Sequence, residues 1–107
     1  MEFNQITSAE DYRIEQIYSA YTTSFPEDER RDFSKFTQLF THPTVRAFSV
    51  LHDNNNIGYV VIWELSDFIF VEHFEVFSEF RNQKLGSEIL DYLKKNYPRI
   101  VLEIEPE

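Results

Sequence analysis

The run Phe68 to Tyr97, FIFVEHFEVFSEFRNQKLGSEILDYLKKNY, constrains the fold more than any other stretch. From Phe68 to Phe77 the residues are apolar or aromatic apart from Glu72, His73 and Glu75, the composition of a mostly buried strand. From Leu85 the period changes. Leu85, Ile89, Leu93 and Tyr97 recur at four-residue steps with Tyr92 beside them, so one face of a helix is apolar. A polar turn, Ser78 to Lys84, joins strand to helix, and Gly86 and Ser87 fall in the helix's first turn.

That turn has a chemistry of its own. A helix N-terminus leaves its first backbone N–H groups unpaired and carries a partial positive charge, so a turn that presents those groups can bind a phosphate or another anion. Gly86 has no side chain to bar a ligand from the backbone, and Arg81 and Lys84 add two cations. An ordinary strand–turn–helix connection with one glycine is the alternative, and the residues leave both readings open.

The rest of the chain supplies the frame. Glu2 to Ile6 reads as a first strand, and Thr7-Ser8-Ala9-Glu10 as a capping box that opens a helix. Ile14, Ile17, Tyr18, Tyr21 and Phe25 line that helix up to Pro26. Phe25 to Arg31 is a charged connection. A second helix is predicted over Phe33 to Thr41, capped by Asp32 or Ser34 and ended by His42-Pro43. From Val45 onward the period is two: Arg46, Phe48 and Val50 alternate with Ala47, Ser49 and Leu51. Asp53 to Asn56 is predicted as a turn, Ile57 to Glu64 as the returning strand, and Ser66-Asp67 as a second turn into the Phe68 strand. After the helix, Tyr97-Pro98 is a break, and Ile100 to Ile104 forms a last strand, parallel to the strand before the helix. The order is β-α-α-β-β-β-α-β in a single α/β domain over residues 1–107, with a mixed sheet.

Composition sets limits on partners. A formal net charge of −9 disfavours a nucleic-acid binder, which needs a basic face. The same charge attracts cationic amines, although its commoner consequence is solubility. With no cysteine, disulfides and thiolate zinc sites are excluded. His42, His52 and His73 lie on different elements without a ligand spacing, so no metal is implied. The absence of a long apolar run and of a signal-like N-terminus predicts no membrane partner and a cytoplasmic protein.

The segment Phe74 to Ser87, FEVFSEFRNQKLGS, resembles the acetyl-coenzyme A signature of the GNAT N-acetyltransferases. In that family a central strand is followed by an Arg/Gln-x-x-Gly-x-Gly/Ala turn and a helix. Arg81 takes the first place here and Gly86 the last, with Lys84 at the middle glycine and Asn82 where a further glycine is common. The element order resembles the family's N-terminal and central parts across nearly the whole chain. The usual C-terminal helix and strands do not follow before Glu107, so the resemblance implies a shortened family member.

The resemblance implies acetyl transfer from acetyl-coenzyme A to an amine of a small molecule or a protein. Backbone groups of Phe74, Glu75 and Val76 would meet the pantetheine arm. The pyrophosphate would lie on the turn formed by Asn82, Gln83, Lys84, Leu85, Gly86 and Ser87, flanked by Arg81. The amine must lose a proton, and Glu72, His73 and Glu75 are the catalytic candidates. Glu72 leads, because a carboxylate in an apolar strand is expected to have a raised pKa. Simple alternation puts it on the face opposite His73 and Glu75 unless a bulge intervenes. Glu27 and Arg30, between the first two helices, would contribute to the acceptor pocket. A non-catalytic GNAT-like module that binds coenzyme A or a protein partner is the alternative. An exposed last strand also predicts a homodimer in which a second copy covers that edge.

Overall fold

A computed structural model describes residues 1–24 and 31–102, so Phe25, Glu27, Arg30 and the chain after Leu102 lie outside the described residues. Strand β1 is Glu2–Ile6, as the sequence suggests. Helix α1, Arg13–Ser24, starts later than a Thr7–Glu10 capping box requires. Instead, the Glu10 N–H donates to Ser8 Oγ at 3.1 Å, closing a local turn. Asp11 then caps the helix, accepting the Arg13 N–H at 2.9 Å while its carbonyl takes the Ile14 N–H at 3.1 Å. The Arg13 side chain returns to the same carboxylate at 2.7 Å, and this hydrogen bond holds the Asp11 carboxyl below its ordinary pKa. A carboxylate that satisfies a helix N–H and a cation together outcompetes the Thr7 hydroxyl.

Helix α2 is Phe33–Leu39, shorter than the pattern through Thr41 suggests, with Asp32 as its cap (2.8 Å from the Lys35 N–H). Strands β2, Val45–His52, and β3, Asn55–Glu64, form a hairpin closed by only Asp53 and Asn54. Those two residues have φ of 52° and 65°. Positive φ at both central residues suits the right-handed twist of a two-residue hairpin, and Asp and Asn tolerate it. Asn55 and Asn56 therefore belong to the ladder, opposite His52 and Leu51.

Strand β4, Ile69–Val76, pairs antiparallel with β3 and parallel with β5, Ile100–Leu102. The sheet order is β1-β2-β3-β4-β5. Helix α3, Leu85–Asn96, makes the parallel connection. Alternation along β3 splits the core in two. Tyr59 and Val61 face α1 and α2, packing with Ile14, Ile17, Tyr21, Phe36 and Leu39. Val60 and Ile62 face α3, packing with Leu85, Ile89 and Leu93. Each of these three α3 side chains contributes about 1.5–3 kcal/mol by burial. Tyr92, at the exposed margin of α3, stacks on Phe3 with ring centroids 4.0 Å apart. No described helix is long and apolar enough to cross a membrane.

Gly58 sets how closely β3 and β4 approach. A Cβ there would lie 2.2 Å from the Glu75 carbonyl oxygen, a separation no side chain can adopt.

Candidate active site

The centre of the site is a β-bulge. On β3, Val61 and Ile62 are consecutive, but their partners on β4 are His73 and Val71, leaving Glu72 as the extra residue. A bulge resets side-chain alternation. Consequently Glu72, His73 and Glu75 all serve the α1/α2 face, which corrects the opposite-face placement that strict alternation gives Glu72. His73 lies across from Val61 and packs edge-on to Tyr21 with ring centroids 5.0 Å apart. Glu75 lies across from Tyr59, whose hydroxyl is pushed to a higher pKa by burial and by that carboxylate.

Glu72 is not alone in an apolar strand. Both its oxygens accept from Arg31, Oε1 from Nη2 at 3.0 Å and Oε2 from Nη1 at 3.2 Å. His73 Nε2 stands 3.5 Å from Glu72 Oε2. Burial lowers the His73 pKa against the opposing pull of Glu72, so the imidazole is neutral at pH 7. The sequence pointed to Glu27 and Arg30 in the charged connection and passed over Arg31. Glu27 and Arg30 lie outside the described residues, and a charge cluster in sequence carries no local signal for an arginine whose side chain turns inward.

Past β4, the chain makes a single 3₁₀ turn, Ser78–Phe80, and reaches α3 through residues of unusual backbone. Asn82 has φ of 70° and Lys84 φ of 61°, two of the positions where the resembling motif carries glycine. Val76, Arg81, Asn82, Lys84, Leu85, Gly86 and Ser87, together with Phe80, line a hollow of about 330 Å³. Among the expected cradle residues, Gln83 does not line it and is exposed. Arg81 folds back, its Nε donating to the Val76 carbonyl at 3.0 Å and its Nη2 to Glu75 Oε2 at 3.2 Å. Gly86 has ordinary φ, and a Cβ there would point at Phe74 Cζ at 3.6 Å. That is ordinary van der Waals contact, so neither the backbone nor the packing of α3 on β4 requires glycine at this position.

A larger cleft of about 590 Å³ opens between α1 and the end of β4, bounded by Gln16, Ser19 and Thr23 on one side and Glu75, Ser78 and Glu79 on the other. Glu75 and Arg81 thus stand between the bulge, the cleft and the turn. On the β5 side, the described ladder stops at Val71↔Leu102, short of Phe74, Glu75 and Val76.

The elements define a class first: a mixed α/β sheet, helices on both faces, a bulge in β4, and a hollow where β4 turns into a helix. The Acetyltransferase (GNAT) family matches residues 12–105, and the chain belongs to that family. A GNAT-family acetyltransferase structure from Bacteroides thetaiotaomicron is 26% identical with a TM-score of 0.87, and the match covers 99% of this chain and 61% of that one. This chain therefore spans less than two thirds of that relative's length. The ribosomal-protein-alanine N-acetyltransferase of Brucella melitensis biovar Abortus 2308 is 16% identical, with a TM-score of 0.75 over 95% of this chain and 79% of its own. AAC(6')-Iy, solved with the bisubstrate analogue CoA-S-monomethyl-acetylneamine, is 12% identical with a TM-score of 0.66 over 99% and 80% of the two chains. A search of curated proteins finds no significant match.

Proposed function

We propose that this chain is an N-acetyltransferase that moves an acetyl group from acetyl-coenzyme A to an amine of a small molecule or protein. The observation that carries the reading is the bulge in a GNAT-family chain, which brings Glu72, His73 and Glu75 to one face, with Glu75 bonded to Arg81 of the turn hollow. The residues fit the donor. A hollow at a helix N-terminus, lined by Lys84 and the exposed Ser87, suits a pyrophosphate. Phe74, Glu75 and Val76, beyond the end of the described parallel ladder, offer backbone to a pantetheine arm. When bound, acetyl-coenzyme A supplies an activated acetyl thioester.

The chain's own residues prepare the acceptor. Glu72, partly exposed at the bulge, takes the proton that the amine gives up, directly or through a water. His73, neutral beside it, and Glu75, at the mouth of the cleft, are the secondary candidates. Glu27 and Arg30 are proposed to contribute to acceptor binding. The relatives whose names mention alanine of a ribosomal protein and neamine support an amine acceptor of either kind. We propose that the protein is cytoplasmic and forms a homodimer through β5, whose Val101 is 45% exposed at the edge of the described sheet. A monomeric mass at all concentrations in light scattering would rule the dimer out.

The reading is tested by following thiol release from acetyl-coenzyme A across a panel of small-molecule and peptide amines. Wild type is expected to turn over at least one acceptor, and Glu72→Gln to lose about 10²- to 10⁴-fold in rate. No thiol release from folded protein with any amine would contradict the proposal.

A further inference from the structure

Arg31 is gripped at three points. Its carbonyl accepts the Tyr18 hydroxyl at 3.0 Å, and its N–H donates to Tyr21 Oη at 2.7 Å. Its guanidinium forks onto Glu72 at 3.0 and 3.2 Å. Both tyrosines belong to α1, and Tyr21 is 1% exposed, so the backbone anchor is rigid. The fork reaches β4 at the one residue that the bulge leaves without a partner on β3.

We propose that Arg31 is a positioning residue: it ties the end of the α1–α2 connection to the β4 bulge and fixes the plane of the Glu72 carboxylate beside His73. Two parallel N–H···O bonds define both the direction and the rotation of a carboxylate, which a lysine's point charge does not do. The Arg31 and Glu72 side chains are 36% and 17% exposed, so the pair is partly shielded from water without being sealed from an acceptor. The effect on rate rests on the acetyl-transfer reading above; the clamp itself does not.

His73 reports on the clamp. Among the described residues, the titratable and charged groups around its ring are Tyr21 from α1, Glu72 from its own strand and Arg31, while α2 contributes the apolar Phe36 and β3 the apolar Val61. Burial is the main reason for its lowered pKa, and Arg31 lowers it further against Glu72. Removing the cation while the carboxylate stays therefore raises it.

The experiment pairs an NMR titration of the His73 ring with steady-state acetyl transfer in wild type, Arg31→Gln and Arg31→Lys, with folding checked by thermal denaturation. The expected result is a higher His73 pKa in Arg31→Gln and a near-wild-type value in Arg31→Lys, which keeps the charge. Both variants are expected to lose about a hundredfold in kcat, because neither keeps the fork. KM for acetyl-coenzyme A stays unchanged, since the turn hollow does not include Arg31. Identical His73 titrations in all three proteins would overturn the clamp. A shifted titration with unchanged kcat would overturn the positioning role. A shifted titration with no acetyl transfer even in wild type would support the clamp and remove the acetyl-transfer reading instead.

Discussion

Lys84→Gly should stabilise the protein. Lys84 precedes α3 with φ of 61° and ψ of 18°, and its side chain makes no capping hydrogen bond. A residue with a Cβ pays about 1–2 kcal/mol in this left-handed region. Glycine removes that strain but gives back about 0.4–1 kcal/mol through the greater freedom of the unfolded chain. Lys84 is exposed, so little packing is lost. The balance is a gain of about 0.5–1 kcal/mol, or about 3–6 °C in Tm for a domain of this size. Denaturant and thermal unfolding of Lys84→Gly, Lys84→Ala and Asn82→Gly measure it. Alanine keeps the strain and should gain nothing. Asn82→Gly should gain less than Lys84→Gly, since asparagine tolerates its φ of 70°. An equal gain from Lys84→Ala, or a loss from Lys84→Gly, would refute the reasoning. Should the Lys84 ammonium touch a phosphate, the more stable glycine variant will also bind acetyl-coenzyme A more weakly.

Two further outcomes follow from the packing and the titrating groups. Gly58→Ala places a Cβ 2.2 Å from the Glu75 carbonyl and must push β3 from β4 beside the bulge. A loss near the upper end of about 1–3 kcal/mol is expected in denaturant unfolding, and a neutral effect would contradict the close approach. His73 has a folded pKa below 6.5, so between that value and 6.5 the unfolded chain binds more protons than the folded one. Its contribution to stability is complete above pH 6.5 and declines as the pH falls through this window. Denaturant unfolding from pH 5 to 7.5 should show a shallower rise in His73→Gln than in wild type, and equal slopes would exclude the assignment.

The order of elements was legible because it depends on local periods. The four-residue apolar steps of α3 and the alternation of β2 both survive in the folded chain. Features that depend on partners far along the chain were less legible. The capping box at Thr7 was sound local chemistry, yet Asp11 prevails because it also pairs with Arg13. The bulge at Glu72 is a difference in length between β3 and β4, and neither strand's sequence carries it alone. Arg31 reaches Glu72 across 41 positions, and its neighbours look equally suited to a solvated connection. Lys84 and Asn82 stood out only as departures from a glycine pattern, and the structure supplies the reason: those positions require positive φ.

Calorimetric titration with acetyl-coenzyme A, for wild type and Ser87→Asp, tests the central claim most directly. Ser87 is exposed, lines the turn hollow and lies in the first turn of α3. An aspartate there favours the helix through its dipole while repelling a pyrophosphate. Saturable binding by wild type, and binding weakened at least tenfold in an equally stable Ser87→Asp variant, is the expected result. Unchanged binding in the variant would move the ligand away from this turn, and no binding by folded wild type would contradict the account as a whole.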